Sequence, residues 1–319
     1  MNLALDMMGG DFAPLEAVKG LQLYLRDNDA VVYCIGNEQQ LQALLSEYPL
    51  PQEKIVIVHA QDVIGYNENP TKALKEKPGS SIAKGFHLLA SGKVDAFLSA
   101  GNTGAMLVGA MFFLKPLESV LRPTIASIVP KIGGNTALIL DVGLNVDCKA
   151  QHLEQFAVLG SLYAESILGI TYPKIGLLNV GEEEGKGNTL SKEVYTLLKE
   201  NSRINFIGNV EGRDIFNGGA DVTVCDGFTG NVVLKLGESL YDIAKSRNMH
   251  HDEFMRLFAY ENYGGTPVLG VAKPVIIGHG ISNDVAFFNM LLLAQKMIET
   301  DVCGTIRTAF QGTAATSNL

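Results

Sequence analysis

The sequence has no tryptophan and only four cysteines, Cys34, Cys148, Cys225 and Cys303, in 319 residues. They lie far apart and form no CxxC pair or Cys/His cluster, which argues against a zinc module or a disulfide framework and fits a reducing compartment. No metal and no cofactor are expected. Prolines number 11 against 34 glycines, a balance that excludes collagen-like and proline-rich disordered classes and points to many tight turns. Positive charge is also short: 25 Lys and Arg face 34 Asp and Glu, for a formal charge of −9. Nucleic acid is therefore not an expected partner, because binding its backbone needs clustered Lys and Arg. An anionic ligand must meet a local basic patch. No apolar run reaches the ~18 residues of a membrane span, and Ala105 to Leu114 reads as a core helix. The opening MNLALDMMGGDF lacks a basic n-region and reads as a first strand rather than a signal peptide. Cytoplasmic placement is the default expectation, with attachment to the inner face of a membrane left open.

What is present is an alternation of short β-rich apolar runs and helical patterns from end to end. This implies an α/β fold with a largely parallel sheet and helices on both faces. Strands are expected at Asn2–Leu5, Val31–Ile35, Ile55–Val58, Ala96–Ser99, Ala137–Leu140, Ile175–Leu178, Phe206–Ile207, Val222–Val224 and Val275–Ile277. Helices are expected at Pro14–Arg26, Ser81–Ala90, Leu153–Leu168, Ser191–Glu200, Val232–Ser246 and Val285–Glu299. No linker divides the chain, so residues 1–319 read as one domain. Three prolines and Gly133-Gly134 interrupt the alternation between Lys115 and Gly134, a seam between two lobes sharing one body. Residues Gln311 to Leu319 read as a flexible tail.

Gly joined to Asn or Asp recurs at strand exits: Ser99-Ala-Gly-Asn-Thr-Gly104, Asp141-Val-Gly-Leu-Asn145, Asn179-Val-Gly-Glu-Glu-Glu-Gly-Lys-Gly-Asn188, Gly208-Asn-Val-Glu-Gly-Arg213, Asp226-Gly-Phe-Thr-Gly-Asn231 and Gly278-His-Gly-Ile-Ser-Asn283. One such loop is ordinary capping chemistry. Six of them suggest a polar crevice for an oxyanion at the strand exits. Neither GxxxxGK[ST] nor a strand-linked GxGxxG with a downstream acid is present, which disfavours nucleotides.

Lys186, between Gly185 and Gly187, is the expected anion anchor. Glu182, Glu183 and Glu184 beside it would repel phosphate if all faced inward, and a solvated charged turn explains them too. Thr229 is expected as a helix N-cap with Asn231 in the first turn, where an oxyanion could lie against free N–H groups, and Gly227 and Gly230 clear space on both sides. Asp6, Gly9 and Gly10 end the first strand and could orient a substrate, while a helix-start turn capped by Asp11 explains the segment as well. Among the histidines only His279, between Gly278 and Gly280, is set where it could act as general acid or hold an oxyanion. No GxSxG elbow appears, and no cysteine carries a local nucleophile–base pattern. An external nucleophile fits better: inorganic phosphate held by Lys186 and helix-start amides could attack an acyl carbonyl directly.

At these residues the chain resembles the PlsX family of bacterial phosphate acyltransferases. The resemblance rests on Asp6-Met-Met-Gly-Gly-Asp11, Ser99 to Gly104, Gly143-Leu-Asn-Val-Asp147, Asn179 to Lys186, Phe206 to Arg213, Cys225 to Asn231, Tyr263-Gly-Gly and Gly278 to Asn283. It implies a fold similar to that of phosphotransacetylases and isopropylmalate dehydrogenases, and a homodimer. The implied reaction converts acyl carrier protein thioester and phosphate to acyl phosphate and free carrier, feeding phospholipid synthesis and a downstream glycerol-3-phosphate acyltransferase. On this reading Lys186, Asp226, His279 and Asn209 are the expected catalytic residues. Asp226 is assigned to orient Lys186 or a donor, and Asn102, Asn145, Asn209 and His279 to contact the carbonyl or oxyanion. Asp6, Gly9, Gly10, Asn102, Thr103, Asn145, Asn179, Gly185, Thr229, Gly230 and Asn231 are expected to line the substrate site.

Many relatives carry a longer hydrophobic excursion where this chain has only Tyr241 to Asn262. Phe254, Met255, Leu257, Phe258 and Tyr260 could still form a small apolar patch for membrane contact, or serve core or dimer packing. The carrier is acidic, so Lys72, Lys75, Lys77 and Lys84 are candidates to meet it, although a solvated helix face has the same composition. Two competing readings stay open: a phosphotransacetylase-like activity on short acyl-coenzyme A, and a non-catalytic scaffold at the membrane surface.

Overall fold

The computed structural model describes residues 1–249 and 251–314. In chain order its strands are β1 (Asn2–Asp6), β2 (Val31–Gly36), β3 (Ile55–His59), β4 (Ala96–Ser99), β5 (Thr124–Pro130), β6 (Thr136–Leu140), β7 (Lys174–Leu178), β8 (Asn205–Val210), β9 (Val222–Val224), β10 (Thr266–Leu269) and β11 (Val275–Ile277). The helices are α1 (Leu15–Asp27), α2 (Glu38–Ser46), α3 (Pro70–Glu76), α4 (Ser81–Ala90), α5 (Thr103–Gly109), α6 (Ala150–Tyr163), α7 (Thr189–Glu200), α8 (Asp214–Asn217), α9 (Gly227–Ser246), α10 (Glu253–Arg256), α11 (Asp284–Glu299) and α12 (Val302–Ala314). The chain divides into two compact units.

The first unit comprises Met1–Pro116 and Tyr260–Cys303. Its strands run in the order β3-β2-β1-β4-β11-β10, parallel except for β10, which is antiparallel to β11. Leu3, Ala4 and Leu5 of β1 are all fully buried, as a parallel strand covered on both faces requires. Helix α1 crosses α11 at Gly20, where a Cβ would stand 2.5 Å from that of Phe287. Phe86 of α4 meets Phe97 of β4 edge to face, 5.1 Å between ring centres, a favoured aromatic geometry.

The second unit comprises Leu117–Ala259 and the chain from Gly304 onward. Its order is β5-β6-β9-β7-β8, with β5 antiparallel to β6 and the rest parallel. Helix α6 lies on this sheet through Gly160, whose missing side chain admits Val222 and Leu140.

The α/β alternation read from the sequence is the one found, and the nine expected strands are all present. Two more, β5 and β10, were not expected. Both are antiparallel, and Pro123 and Pro130 bracket or end β5, so it resembled an interruption. Helix α9 begins at Gly227, five residues before the expected Val232, which moves Thr229 and Asn231 inside it. Ala105–Leu114 is not a wholly buried helix: α5 ends at Gly109, a wider π-type turn follows, and Phe112 is 75% exposed. Gln311–Ala314 complete α12 instead of starting a flexible tail, whose remaining residues 315–319 lie outside the described ones. Among the described residues no helix is long and apolar enough to cross a membrane.

Candidate active site

In the first unit, β1 ends in Asp6, whose carboxylate is buried. Its Oδ1 accepts the amides of Met8 at 2.9 Å and Gly9 at 3.1 Å, and its Oδ2 accepts the Ser99 hydroxyl at 2.6 Å. The turn is tight: a Cβ on Gly9 would stand 2.5 Å from the Gly101 amide nitrogen, and Gly10 has φ +108°. Burial pushes the Asp6 carboxyl above its ordinary value, against the lowering effect of these hydrogen bonds. Asp6, Gly9, Gly10, Gly65, Tyr66, Ser81, Ile82 and Gly101 are among the residues lining a cavity of about 180 Å³. Asn102 is committed to the fold: its Oδ1 caps α5 through the Ala105 amide, and its Nδ2 donates to the carbonyls of Gly65 and Tyr66. Both amide hydrogens are used, so it does not serve as the expected donor to a substrate carbonyl. Thr103 is exposed at the start of α5. His279 is half-buried; its Nδ1 accepts the Ile281 amide at 3.4 Å, and Tyr260 packs on its ring. Asp11 does not cap α1, whose N-cap is Pro14 without a side-chain hydrogen bond.

In the second unit Asp141, just beyond β6, is fully buried and was not among the expected site residues. Its Oδ1 accepts the amides of Ile125 and Leu144, and its Oδ2 accepts the Asn145 amide at 2.5 Å and the Asn145 Nδ2 at 2.9 Å. Asn145 also donates to the Pro123 carbonyl at 2.8 Å, which spends its second amide hydrogen and removes it as an oxyanion donor. The Asn145 carbonyl in turn accepts the Gly227 amide, the first of α9.

The cap of α9 is Asp226, not Thr229: the carboxylate accepts the Thr229 amide at 2.9 Å and its hydroxyl at 2.8 Å. Asp226 is therefore occupied by its own helix, with no ion pair to Lys186 among the described residues. Gly227 and Thr229 amides are both taken, so the row of free N–H groups expected here is reduced. Gly230 is required by close approach, since a Cβ would stand 1.9 Å from the Asp141 carbonyl oxygen. Asn231 donates to the Val142 carbonyl at 3.2 Å.

The loop after β7 is built on a pair of asparagines. Asn179 Nδ2 donates to Asn209 Oδ1 at 3.0 Å and to the Lys186 carbonyl at 3.2 Å, while Asn209 Nδ2 donates to the Glu183 carbonyl at 2.9 Å. Asn209 retains one amide hydrogen. Gly185 faces open space. Lys186 is 51% exposed, its ammonium 3.8 Å from Glu183, too long for a strong charge-assisted hydrogen bond. Glu184 and Glu182 turn to Lys199 and Arg213, as expected for acids that must not face an anion.

The expected residues thus fall into three groups: the Asp6 turn with Asn102 and His279 in one unit, and in the other the Asp141–α9 junction and the Asn179–Asn209–Lys186 loop. Asp141 was legible as an acid at a strand exit, but nothing in the sequence showed that it is the hub. Of the basic candidates, Lys77 pairs with Glu68 at 2.7 Å and Lys84 donates to the His59 carbonyl; Lys72 is 3.9 Å from Glu76, and Lys75 is exposed. Phe254, Met255, Leu257, Phe258 and Tyr260 are all half-buried. Phe258 packs on Phe216 and Phe254, the packing role left open for these residues.

A mostly parallel α/β sheet with these turns places the chain in the fold class of phosphotransacetylases. The crystal structure of a phosphotransacetylase from Streptococcus pyogenes matches it with a TM-score of 0.67 at 17% identity, over 93% of each chain. Sequence likeness is narrower and stronger. The phosphate acyltransferase of Dictyoglomus turgidum is 44% identical over 95% of each chain, and that of Dictyoglomus thermophilum 43% identical over 95% of each. Residues 1–259 match the family described as "Fatty acid synthesis protein". The chain belongs to this family of phosphate acyltransferases.

Proposed function

We propose that the chain transfers the acyl group of an acyl carrier protein thioester to inorganic phosphate, giving acyl phosphate and free carrier, with phosphate as the direct nucleophile. Acyl transfer to phosphate is the activity of its family, and the observation that carries it is the 44% identity extending over 95% of the chain. A phosphate oxygen attacks the thioester carbonyl, the C–S bond breaks, and the thiol leaves with a proton. Lys186 holds the phosphate by charge, in a loop where Gly185 leaves room and Asn209 has a hydrogen to donate. The Asp141–α9 junction fixes the neighbouring backbone. Direct attack is supported by the thiols: burial pushes Cys148 up to about 11, Cys34 up to about 12 and Cys225 well above its ordinary value. A thiolate at Cys34, Cys148 or Cys225 is thus scarce at neutral pH.

The test mixes protein, long-chain acyl carrier thioester and phosphate, then traps acyl phosphate with hydroxylamine. Phosphate-dependent hydroxamate is expected. Thioester bound but never consumed would establish the scaffold reading, and turnover confined to acetyl-coenzyme A would establish the short-chain one.

We also read the chain as a homodimer. Helix α9 carries Phe228, Val232, Leu236, Leu240 and Ile243 exposed at helical spacing, an apolar stripe that a second subunit would cover. Sedimentation equilibrium showing only monomer would dismiss this. Transient contact with a membrane surface and hand-over to a glycerol-3-phosphate acyltransferase belong to the same proposal.

A further inference from the structure

The segment that leaves the Asp141 turn ends at the start of α6 in a group of basic side chains that the reaction above does not use. Arg122 Nη1 donates to the Asp147 carbonyl at 3.0 Å, and the rest of the guanidinium has no hydrogen-bond partner among the described residues. Neither Arg122 nor Lys149 forms an ion pair among the described residues. This is uncommon in a chain where acids outnumber bases. Lys149 is the N-cap of the 14-residue α6, whose first amides and dipole favour negative charge.

His152, in the first turn of α6, is only 7% exposed. Its Nδ1 accepts the Lys149 amide at 3.1 Å. That bond fixes the proton of the neutral ring on Nε2, on the opposite edge, where no acceptor is present among the described residues. Burial and the charges of Arg122 and Lys149 hold His152 below its ordinary value, so the ring stays a neutral donor near pH 7.

We propose that Arg122, Lys149 and His152 form a subsite for a phosphate ester, and that its occupant is the phosphodiester of the acyl donor's pantetheine arm. Arg122 lies far from Lys149 in sequence, but its bond to the Asp147 carbonyl brings it to the segment that starts α6; a planar guanidinium, an ammonium, an N–H donor and a helix start there suit one compact tetrahedral anion with several acceptors. A carboxylate-studded protein face would call for charges spread more widely. The subsite adjoins the acyl-transfer site through the chain itself: Cys148 donates to the Asn145 carbonyl at 3.3 Å, and that carbonyl also receives the first amide of α9. The inference rests on the carrier-thioester reading above.

The experiment compares two minimal donors, a long-chain acyl-phosphopantetheine and the same acyl-pantetheine without phosphate, in the intact protein and in the double variant Arg122→Gln/Lys149→Gln. Both positions are exposed, so the variant is expected to fold. The intact protein should prefer the phosphorylated donor by about tenfold in kcat/KM, the worth of one or two charge-assisted contacts. The variant should lose that preference while its KM for inorganic phosphate stays within about twofold. A preference retained by the variant, or a loss appearing in the KM for inorganic phosphate instead, overturns the proposal. Titration with phosphopantetheine alone, followed by the His152 ring resonances, gives a readout independent of turnover. A shift is expected in the intact protein and none in the double variant; no shift in either overturns the subsite. Absence of turnover by the intact protein with carrier thioester would overturn the reaction, a separate failure.

Discussion

The two units solve the same local problem with the same residue type and reach different ends. In each, an aspartate at the exit of a strand is withdrawn from solvent and gathers amides of the loop that follows, Asp141 adding that of Ile125 in β5. Asp6 takes two amides and a serine hydroxyl, and its turn borders an open cavity of about 180 Å³. Asp141 takes three amides and a side-chain amide, and its turn is filled by the start of α9. The first turn is a hollow with a carboxyl that burial pushes toward its neutral form. The second is a closed joint that fixes the backbone at the start of α9. A buried acid at a strand exit is thus no sign of catalysis by itself; what its hydrogen bonds leave open decides.

The steepest way to break the comparison is at the glycines. Gly230→Ala sets a Cβ 1.9 Å from the Asp141 carbonyl oxygen, backbone against backbone, and should cost at least ~4 kcal/mol by urea unfolding. Gly9→Ala, whose nearest contact is 2.5 Å, should cost ~3 kcal/mol. The reverse order would mean that the Asp141 joint yields more readily than the hollow.

Asp141→Asn comes next. Its new amino group would face the Asn145 amide and Nδ2, donor against donor, at a cost of ~3 kcal/mol. Asp6→Asn should cost only ~1 kcal/mol, because the amino group can donate to the Ser99 hydroxyl oxygen. The pH profile sharpens the contrast. Since the folded Asp6 carboxyl lies above its ordinary value of 3.8, the folded chain holds a proton that the unfolded chain has lost between the two values. Stability from this group is full below the unfolded value, falls as pH rises through that window, and levels above the folded value. Asp6→Asn should flatten that stretch of a stability–pH series, and an unchanged slope would remove the assignment.

The smallest expected effect is Thr229→Val, which deletes one hydroxyl bond to Asp226 while keeping the amide bond. Thermal unfolding should register a loss of ~1 kcal/mol; a loss several times larger would mean that the hydroxyl, and not Asp226, organises the start of α9.

The parallel core was legible because its strands are short apolar runs buried on both faces, as in Leu3–Leu5. Antiparallel β5 was hidden by the prolines at its ends, and the α9 start by a glycine pair that reads as loop until its packing against Asp141 is seen. Glycine-rich strand exits marked the loops that follow β1, β4, β6, β7 and β9. They could not show that Asn102 and Asn145 spend both amide hydrogens inside the fold, because that depends on carbonyls of Gly65, Tyr66 and Pro123, distant in sequence. Lys186 stands out in the sequence as the one cation of its loop, and in the structure Glu184 and Glu182 turn to Lys199 and Arg213 while Glu183 stays beside it.

The most direct measurement is the steady-state response of Lys186→Ala to phosphate at saturating carrier thioester. Loss of one charge-assisted contact, ~1.5–3 kcal/mol, predicts a 10-fold to 150-fold weaker dependence on phosphate, with the donor KM unchanged. Phosphate dependence equal to that of the intact protein would contradict the account.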